Sequence, residues 1–304
     1  MATNPPERTT PKSDWEHLTV WETTKSLLLS IPNYFQTDLL IRGVNATEIF
    51  SIGPVFSSIL ESQIVETLNK LRNVWDKDDK YQSFAFVRRA QAFPDVLLVD
   101  ATGKEILFGV ELKSWYVLSK EGEPSFRYLI TPNACADADL LIIVPWILSD
   151  VISGSPRLLR PWIESAKYVA EYRNFYWKES RSKQNKNQNI RSPINIKQYP
   201  DIRQEACDEA PDDKGGNFGR VARTGIIDSY IKSIKEDKYL GIKIDHWIEF
   251  FKSVSETRTD ERIEKKISSL RKSIQKNNDR PVKGKAFLDI LQLIEDLWKD
   301  GPNA

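Results

Sequence analysis

Apolar positions fall in two rhythms along this chain of 304 residues, and the change of rhythm marks its elements. Phe56, Leu60, Ile64, Leu68, Leu71 and Trp75 recur at three- or four-residue intervals, the spacing of a helix that buries one stripe. Pro54 suits the start of that helix, because a first helical residue has no use for its N–H. An earlier helical region is expected over residues 15–29, stopping near Pro32. Residues 93–113, FPDVLLVDATGKEILFGVELK, behave differently. Two short apolar, β-rich runs flank Ala101, Thr102 and Gly103, which predicts a hairpin with strands over 93–100 and 106–113, the second carried on by Trp115 and Tyr116. An edge strand precedes it in SFAFVRRAQAF, a short helix is expected around ACADA, and the run 139–146, apolar after Asp139, reads as a buried strand. WIESAKYVAEYRNFYW then predicts an amphipathic helix with Trp162, Ala166, Val169 and Tyr176 along one side.

Beyond Trp177 the pattern fades. Residues 178–203 carry Lys178, Arg181, Lys183, Lys186, Arg191, Lys197 and Arg203 against Glu179 and Asp201, interleaved with Asn and Gln. Such a stretch is either a solvated linker or an arm that folds on a polyanion. Arg220 and Arg223 follow a glycine-rich run, a second place where backbone and cation can meet phosphate. Helical spacing resumes to the end, where Phe287, Leu288, Leu291, Ile294, Leu297 and Trp298 form a stripe that must bury on the domain or on a second subunit. Four regions follow: a polar, Pro-rich 1–14 expected to be disordered, a core over 15–177, a basic and Gly-rich 178–225, and a helical 226–304.

Charge and composition narrow the field. With 44 basic and 43 acidic residues there is no global field to attract DNA, so any such face must be local. The apolar run 140–148 is far too short to span a bilayer and the N-terminus lacks a signal-peptide pattern, so a cytoplasmic protein without membrane contact is expected. Two cysteines outside any C-x-x-C spacing and two histidines give little support to a zinc site or a histidine triad.

The chemistry concentrates in the hairpin. Side chains alternate along a strand, so Glu111 and Lys113 share a face, and Asp95 can come alongside on the neighbouring strand. Two carboxylates that close need a cation between them, and a hard divalent ion, Mg²⁺ before Ca²⁺, fits oxygen ligands that include the Leu112 carbonyl. Lys113 can then orient or deprotonate a water, or stabilise a developing oxyanion. The bland alternative is a set of ordinary charges closing a surface hairpin.

Pro94-Asp95 with Glu111-Leu112-Lys113 resembles the PD-(D/E)xK nuclease superfamily, the fold of most type II restriction endonucleases and of several repair and junction nucleases. Glu236-Asp237-Lys238, Glu264-Lys265-Lys266, Pro200-Asp201 and Pro211-Asp212 match parts of the motif, but no hairpin joins them. The resemblance covers about residues 50–150. It implies an α/β fold with a restriction-endonuclease-like core, a mixed β-sheet flanked by helices in the order αβββαβ, and a mainly helical C-terminal region. It further implies a Mg²⁺-dependent type II endodeoxyribonuclease in which Asp95, Glu111 and the Leu112 carbonyl hold the metal and Lys113 activates water. Glu61, which falls beside the apolar stripe of its helix while Glu66 lies nearly opposite, is the position matching a further acid that the family often supplies. Arg88, Arg89 and Gln91 before the motif, and Lys183, Lys186, Arg191, Arg220 and Arg223 after it, are candidate DNA contacts. The implied partners are double-stranded DNA, a second copy in a homodimer and a protecting DNA methyltransferase. The alternatives are a structure-selective repair or junction nuclease of the same superfamily and a non-catalytic DNA-binding protein on the same fold.

Overall fold

The two apolar runs of the hairpin pair with each other, and the remaining strands assemble around them. The computed structural model describes residues 4–44, 48–119 and 121–255, with isolated positions 261, 264, 265, 268, 272 and 292 beyond. Strands β1 (Phe84–Arg88), β2 (Val96–Asp100) and β3 (Ile106–Tyr116) form an antiparallel meander in which Arg88 sits opposite Val96 and Val96 opposite Val110. Asp100 closes the β2–β3 turn, its carboxylate accepting the backbone N–H groups of Thr102, Lys104 and Glu105. Strand β4 (Leu140–Leu148) runs parallel to β3, from Val110 opposite Leu140 to Tyr116 opposite Trp146. Strands β5 (Pro156–Leu158) and β6 (Trp162–Ser165) share the far edge of β4, both antiparallel to it, which completes a six-stranded mixed sheet. All residues of β4 are buried, and a strand covered on both faces and both edges has no place for a polar side chain.

Helices cover the sheet. Helix α1 spans Leu18–Leu29, α2 Gly53–Lys70 and α3 Arg72–Trp75. The α2 stripe of Phe56, Leu60, Ile64 and Leu68 is buried as its spacing predicts. The Ser57 and Ser114 hydroxyls lie 2.7 Å apart, so α2 packs on the face of β3 that carries Ser114, not the face that carries Lys113. Helix α4 (Ala166–Ser182) is followed by α5 (Asp228–Glu236), a two-residue-turn hairpin of β7 (Lys238–Tyr239) and β8 (Ile242–Lys243), and α6 (Ile244–Ser255). Trp247, Ile248, Phe250 and Phe251 bury the inner side of α6. The stripe over 287–298 lies outside the described residues. Residues 4–14 form neither helix nor strand, yet Arg8 reaches Glu164 at 3.2 Å and lies over the Tyr168 ring.

Two elements depart from the expected pattern. Among its described residues the connection from β3 to β4 has no α-helix; it has one 3-10 turn over Pro132–Ala134, and Asp139, at the end of ACADAD, takes the Ala136 N–H instead of a helical turn forming there. Trp162–Ser165 is strand, not helix: the open edge of β4 competes for that backbone, and Ser165 then caps α4 by accepting the Tyr168 N–H at 3.2 Å. The buried line of α4 consequently shifts to Ala166, Val169, Ala170, Arg173 and Trp177, while Tyr176 is exposed.

Candidate functional site

Register places the first pair. With Val96 opposite Val110, position 95 falls opposite 111, and both side chains project to the sheet face away from α2. A Cβ at Gly109 would come within 2.1 Å of the Pro94 ring, so glycine is what lets residue 94, and Asp95 with it, lie close on β3. The Leu112 N–H then donates to Asp95 Oδ2 at 2.7 Å. A strand residue directs its N–H and C=O to the same edge, so the Leu112 carbonyl faces the Asp95 side as well. Lys113 Nζ donates to Glu111 Oε1 at 2.6 Å. Asp95, Glu111 and Lys113 are therefore brought together; Glu111 is fully buried, and Lys113 retains partial exposure.

The cation between the two carboxylates is a side chain that sequence reasoning placed elsewhere. Arg203 Nη2 lies 2.5 Å from Asp95 Oδ1 and 3.1 Å from Glu111 Oε2, and also donates to the Ala92 carbonyl at 2.7 Å. Its Nη1 donates to Glu111 Oε1. Arg203 arrives on a strap over residues 199–209 that is sewn to the core. Its own N–H bonds the Gln91 carbonyl at 3.0 Å, Thr131 N–H bonds the Ala206 carbonyl at 2.7 Å, and Asp208 N–H bonds the Leu129 carbonyl at 2.7 Å. The end of the stretch expected to be a linker or a DNA arm thus crosses its own hairpin. The signal for a cation was present, since two carboxylates at this spacing demand one, but nothing in the sequence names position 203 as its source.

The electrostatics separate the two acids. Burial, then the charge on Glu111, pushes Asp95 up to about 7 against the pull of Lys113, Arg203 and the Leu112 N–H. Burial opposes the charge on Glu111 too, but Lys113 and Arg203 together hold it below the ordinary carboxylate value. Glu111 is therefore the carboxylate that stays ionised, and Asp95 the one that exchanges a proton near neutrality.

The other expected site residues lie elsewhere. Glu61 is not part of the cluster: it sits on α2, across the sheet, and ion-pairs with Arg88 at 2.8 Å, because Arg88 shares the face of Val96 and Val110. Arg88 is held there also by Ser58. Arg89 fastens the strap, donating to the carbonyls of Phe93 and Pro200 and to Asp201. Gln91 offers its carbonyl to the strap and its side chain is exposed. Arg191 pairs through its backbone with Glu209, Arg220 with Glu121 at 3.0 Å and Arg223 with Glu123 at 3.0 Å. Lys183 and Lys186 are exposed just past α4. The eight candidate DNA contacts thus form no single ring around Asp95 and Glu111. Among the described residues no group of three or more His, Cys, Asp or Glu side chains is placed to hold a metal. The oxygen donors at hand are two carboxylates and a carbonyl, a set that suits Mg²⁺, an ion that keeps several of its waters.

Beside the cluster, buried Asp139 knits three segments together. Its Oδ1 accepts the Gly109 N–H at 2.7 Å and the Tyr199 hydroxyl of the strap at 3.2 Å, and Oδ2 accepts the Ala136 N–H at 2.7 Å. Burial pushes Asp139 from 3.8 up to about 7 despite these bonds. Between those values the folded chain keeps a proton that the unfolded chain has released. The stability owed to the neutral carboxyl is therefore full below the unfolded value and is lost as pH rises through the folded one. Asp139→Asn, which does not titrate, is expected to flatten the decline in stability across that window. Urea unfolding on either side of it measures the slope, and an unchanged slope in the variant would exclude Asp139 as its source.

No family model, curated protein or solved structure matches this chain. Among the described residues no helix is long and apolar enough to cross a membrane.

Proposed function

We propose that the chain is a Mg²⁺-dependent endodeoxyribonuclease of the PD-(D/E)xK kind, with a restriction-endonuclease-like core, that cuts double-stranded DNA at a short specific site in the manner of a type II restriction enzyme. The single observation that carries this is the convergence of Asp95, Glu111 and Lys113 at the divergent end of two paired strands of a mixed sheet. Asp95, Glu111 and the Leu112 carbonyl would hold the ion, which when bound supplies a Lewis acid for the scissile phosphate and a more acidic water. Lys113, partly exposed beside Glu111, has the reach and charge to orient that water and to offset negative charge building on the phosphate. Arg203 must give up its bonds to both carboxylates before they can act as ligands. Cutting both strands of a palindrome would pair two copies about a two-fold axis, and a methyltransferase protecting the host would be the functional partner in the cytoplasm.

Incubation of unmethylated genomic DNA with the full chain, with Mg²⁺ and with EDTA, tests the proposal. Discrete bands that need Mg²⁺ are expected. Cleavage confined to branched or damaged DNA would shift the activity to a repair or junction nuclease, and no cleavage under either condition would sink it.

One observation favours a non-catalytic DNA-binding role instead. Arg203 already neutralises both carboxylates, as a built-in countercharge would. Arg203→Ala separates the two roles. If the arginine competes with a metal, Mg²⁺ binding measured by calorimetry tightens by about tenfold or more, the equivalent of one charge-assisted contact. If it is only structural, the variant loses stability and gains no affinity for Mg²⁺.

A further inference from the structure

The strap that carries Arg203 is fastened unevenly on its two sides. After Arg203 the hold is buried and short: the N–H groups of Thr131 and Asp208 bond the carbonyls of Ala206 and Leu129, both at 2.7 Å, and buried Asp208 faces buried Arg173. Before it the hold is longer and lies at the surface. Arg89 Nη2 reaches the carbonyls of Tyr199 and Pro200 at 3.3 and 3.1 Å and also Asp201, whose side chain is fully exposed, and the Tyr199 hydroxyl reaches Asp139 at 3.2 Å. Ile202 stands 53% exposed, and a cleft of about 570 Å³ bounded by Trp15, Ile106, Ala138 and Tyr199 borders this limb. The backbone is strained where limb and hairpin meet. Tyr199 has φ +56°, and Gln91, whose carbonyl takes the Arg203 N–H at 3.0 Å, has φ +57°, a region that only glycine adopts freely. A 3-10 turn over Arg203–Ala206 joins the weak limb to the strong one.

The weak limb closes the acids completely. Asp95 Oδ2 is taken by the Leu112 N–H and Oδ1 by Arg203, while Glu111 Oε1 is shared by Lys113 and Arg203 and Oε2 is taken by Arg203. An ion can reach these oxygens only when the guanidinium has left. We propose that residues 199–203 are a latch that shuts the carboxylate pair against metal ions and lifts as a unit, turning on the anchored residues 206–208. It rests on the reading of that pair as a metal site, and it is read out by metal binding and by exchange, not by cleavage. Lifting breaks surface bonds and relieves two left-handed residues, whereas a swing of the Arg203 side chain alone leaves the limb in place. A closed latch lowers the apparent Mg²⁺ affinity by the fraction of molecules that are open. Loosening the limb without touching the acids must then tighten Mg²⁺ binding.

Two measurements on the full chain test this. Tyr199→Phe combined with Arg89→Leu removes latch bonds and spares Asp95, Glu111, Lys113 and Arg203; calorimetry should show Mg²⁺ binding tighter by about tenfold or more, and adding Asp95→Asn should abolish the gain. In the unaltered chain, amide hydrogen exchange at Arg203 should run at least about tenfold faster than at Asp208, and Mg²⁺ should speed it further while Asp208 keeps its rate. Equal exchange at the two amides, or unchanged Mg²⁺ affinity in the folded double variant, overturns the latch. If Arg203→Ala still gains affinity in that case, the metal site stands and the latch alone falls; Mg²⁺ binding in none of the variants overturns both.

Discussion

If the chain is the nuclease proposed, Asp95→Asn and Lys113→Ala are each expected to lower its Mg²⁺-dependent DNA cleavage by about a thousandfold or more, the scale of losing a group that stabilises charge in a transition state, with DNA affinity largely kept. The asparagine has the shape of the acid without the anion that a hard metal needs. It also provides its own control for folding. Because the folded chain favours the protonated form of Asp95, raised to about 7, a neutral isostere at that position should be tolerated near neutral pH. Lys113→Ala removes a partly exposed ammonium whose one close partner is Glu111, which keeps Arg203 as a countercharge. Loss of activity in either variant should therefore come without loss of the fold. Rates and binding measured on the same oligonucleotide, alongside a thermal melt, separate these effects. Undiminished cutting by either variant would move the chemistry away from this hairpin.

The largest effect on stability is expected at Arg173, where Arg173→Met should cost about 3–5 kcal/mol, the loss typical of breaking a buried ion pair from one side. The guanidinium is 2% exposed and donates to the carbonyls of Tyr128 and Ile130 at 2.7 and 3.1 Å and to Asp208 at 2.5 Å. It also lies over the Phe218 ring. Removing it leaves the Asp208 carboxylate buried beside Asn174 with no cation. Adding Asp208→Asn to Arg173→Met should recover part of the loss, because the stranded charge goes too. Urea denaturation of the single and double variants measures the coupling, and a single-variant loss under about 1 kcal/mol would place the pair among unimportant contacts. The strap is anchored through Asp208, so Arg173→Met should also loosen Arg203, five residues before Asp208, from the carboxylates of Asp95 and Glu111.

Where strand and helix differed from expectation, local pattern was outvoted by a neighbour. Trp162, Ala166 and Val169 fit a helical spacing, yet the edge of β4 had unpaired backbone to satisfy, and Trp162–Ser165 supplied it. The alanines of ACADAD favour helix, but the Asp139 carboxylate captured the Ala136 N–H and turned the chain toward β4. Glu61 was placed correctly beside the stripe of α2; what its periodicity could not say was which face of the sheet α2 would cover.

By itself the sequence determined the hairpin, the buried strand after it and the shared face of Glu111 and Lys113, because alternation along a strand and burial of apolar runs depend on residues a few positions apart. The tertiary structure alone decided that Asp95 would lie opposite Glu111, that Glu61 would serve Arg88, and that Arg203 would stand between the two acids. Those outcomes depend on strand register and on a contact between residues 108 apart in the chain, where many partners of equal charge compete and only packing chooses among them.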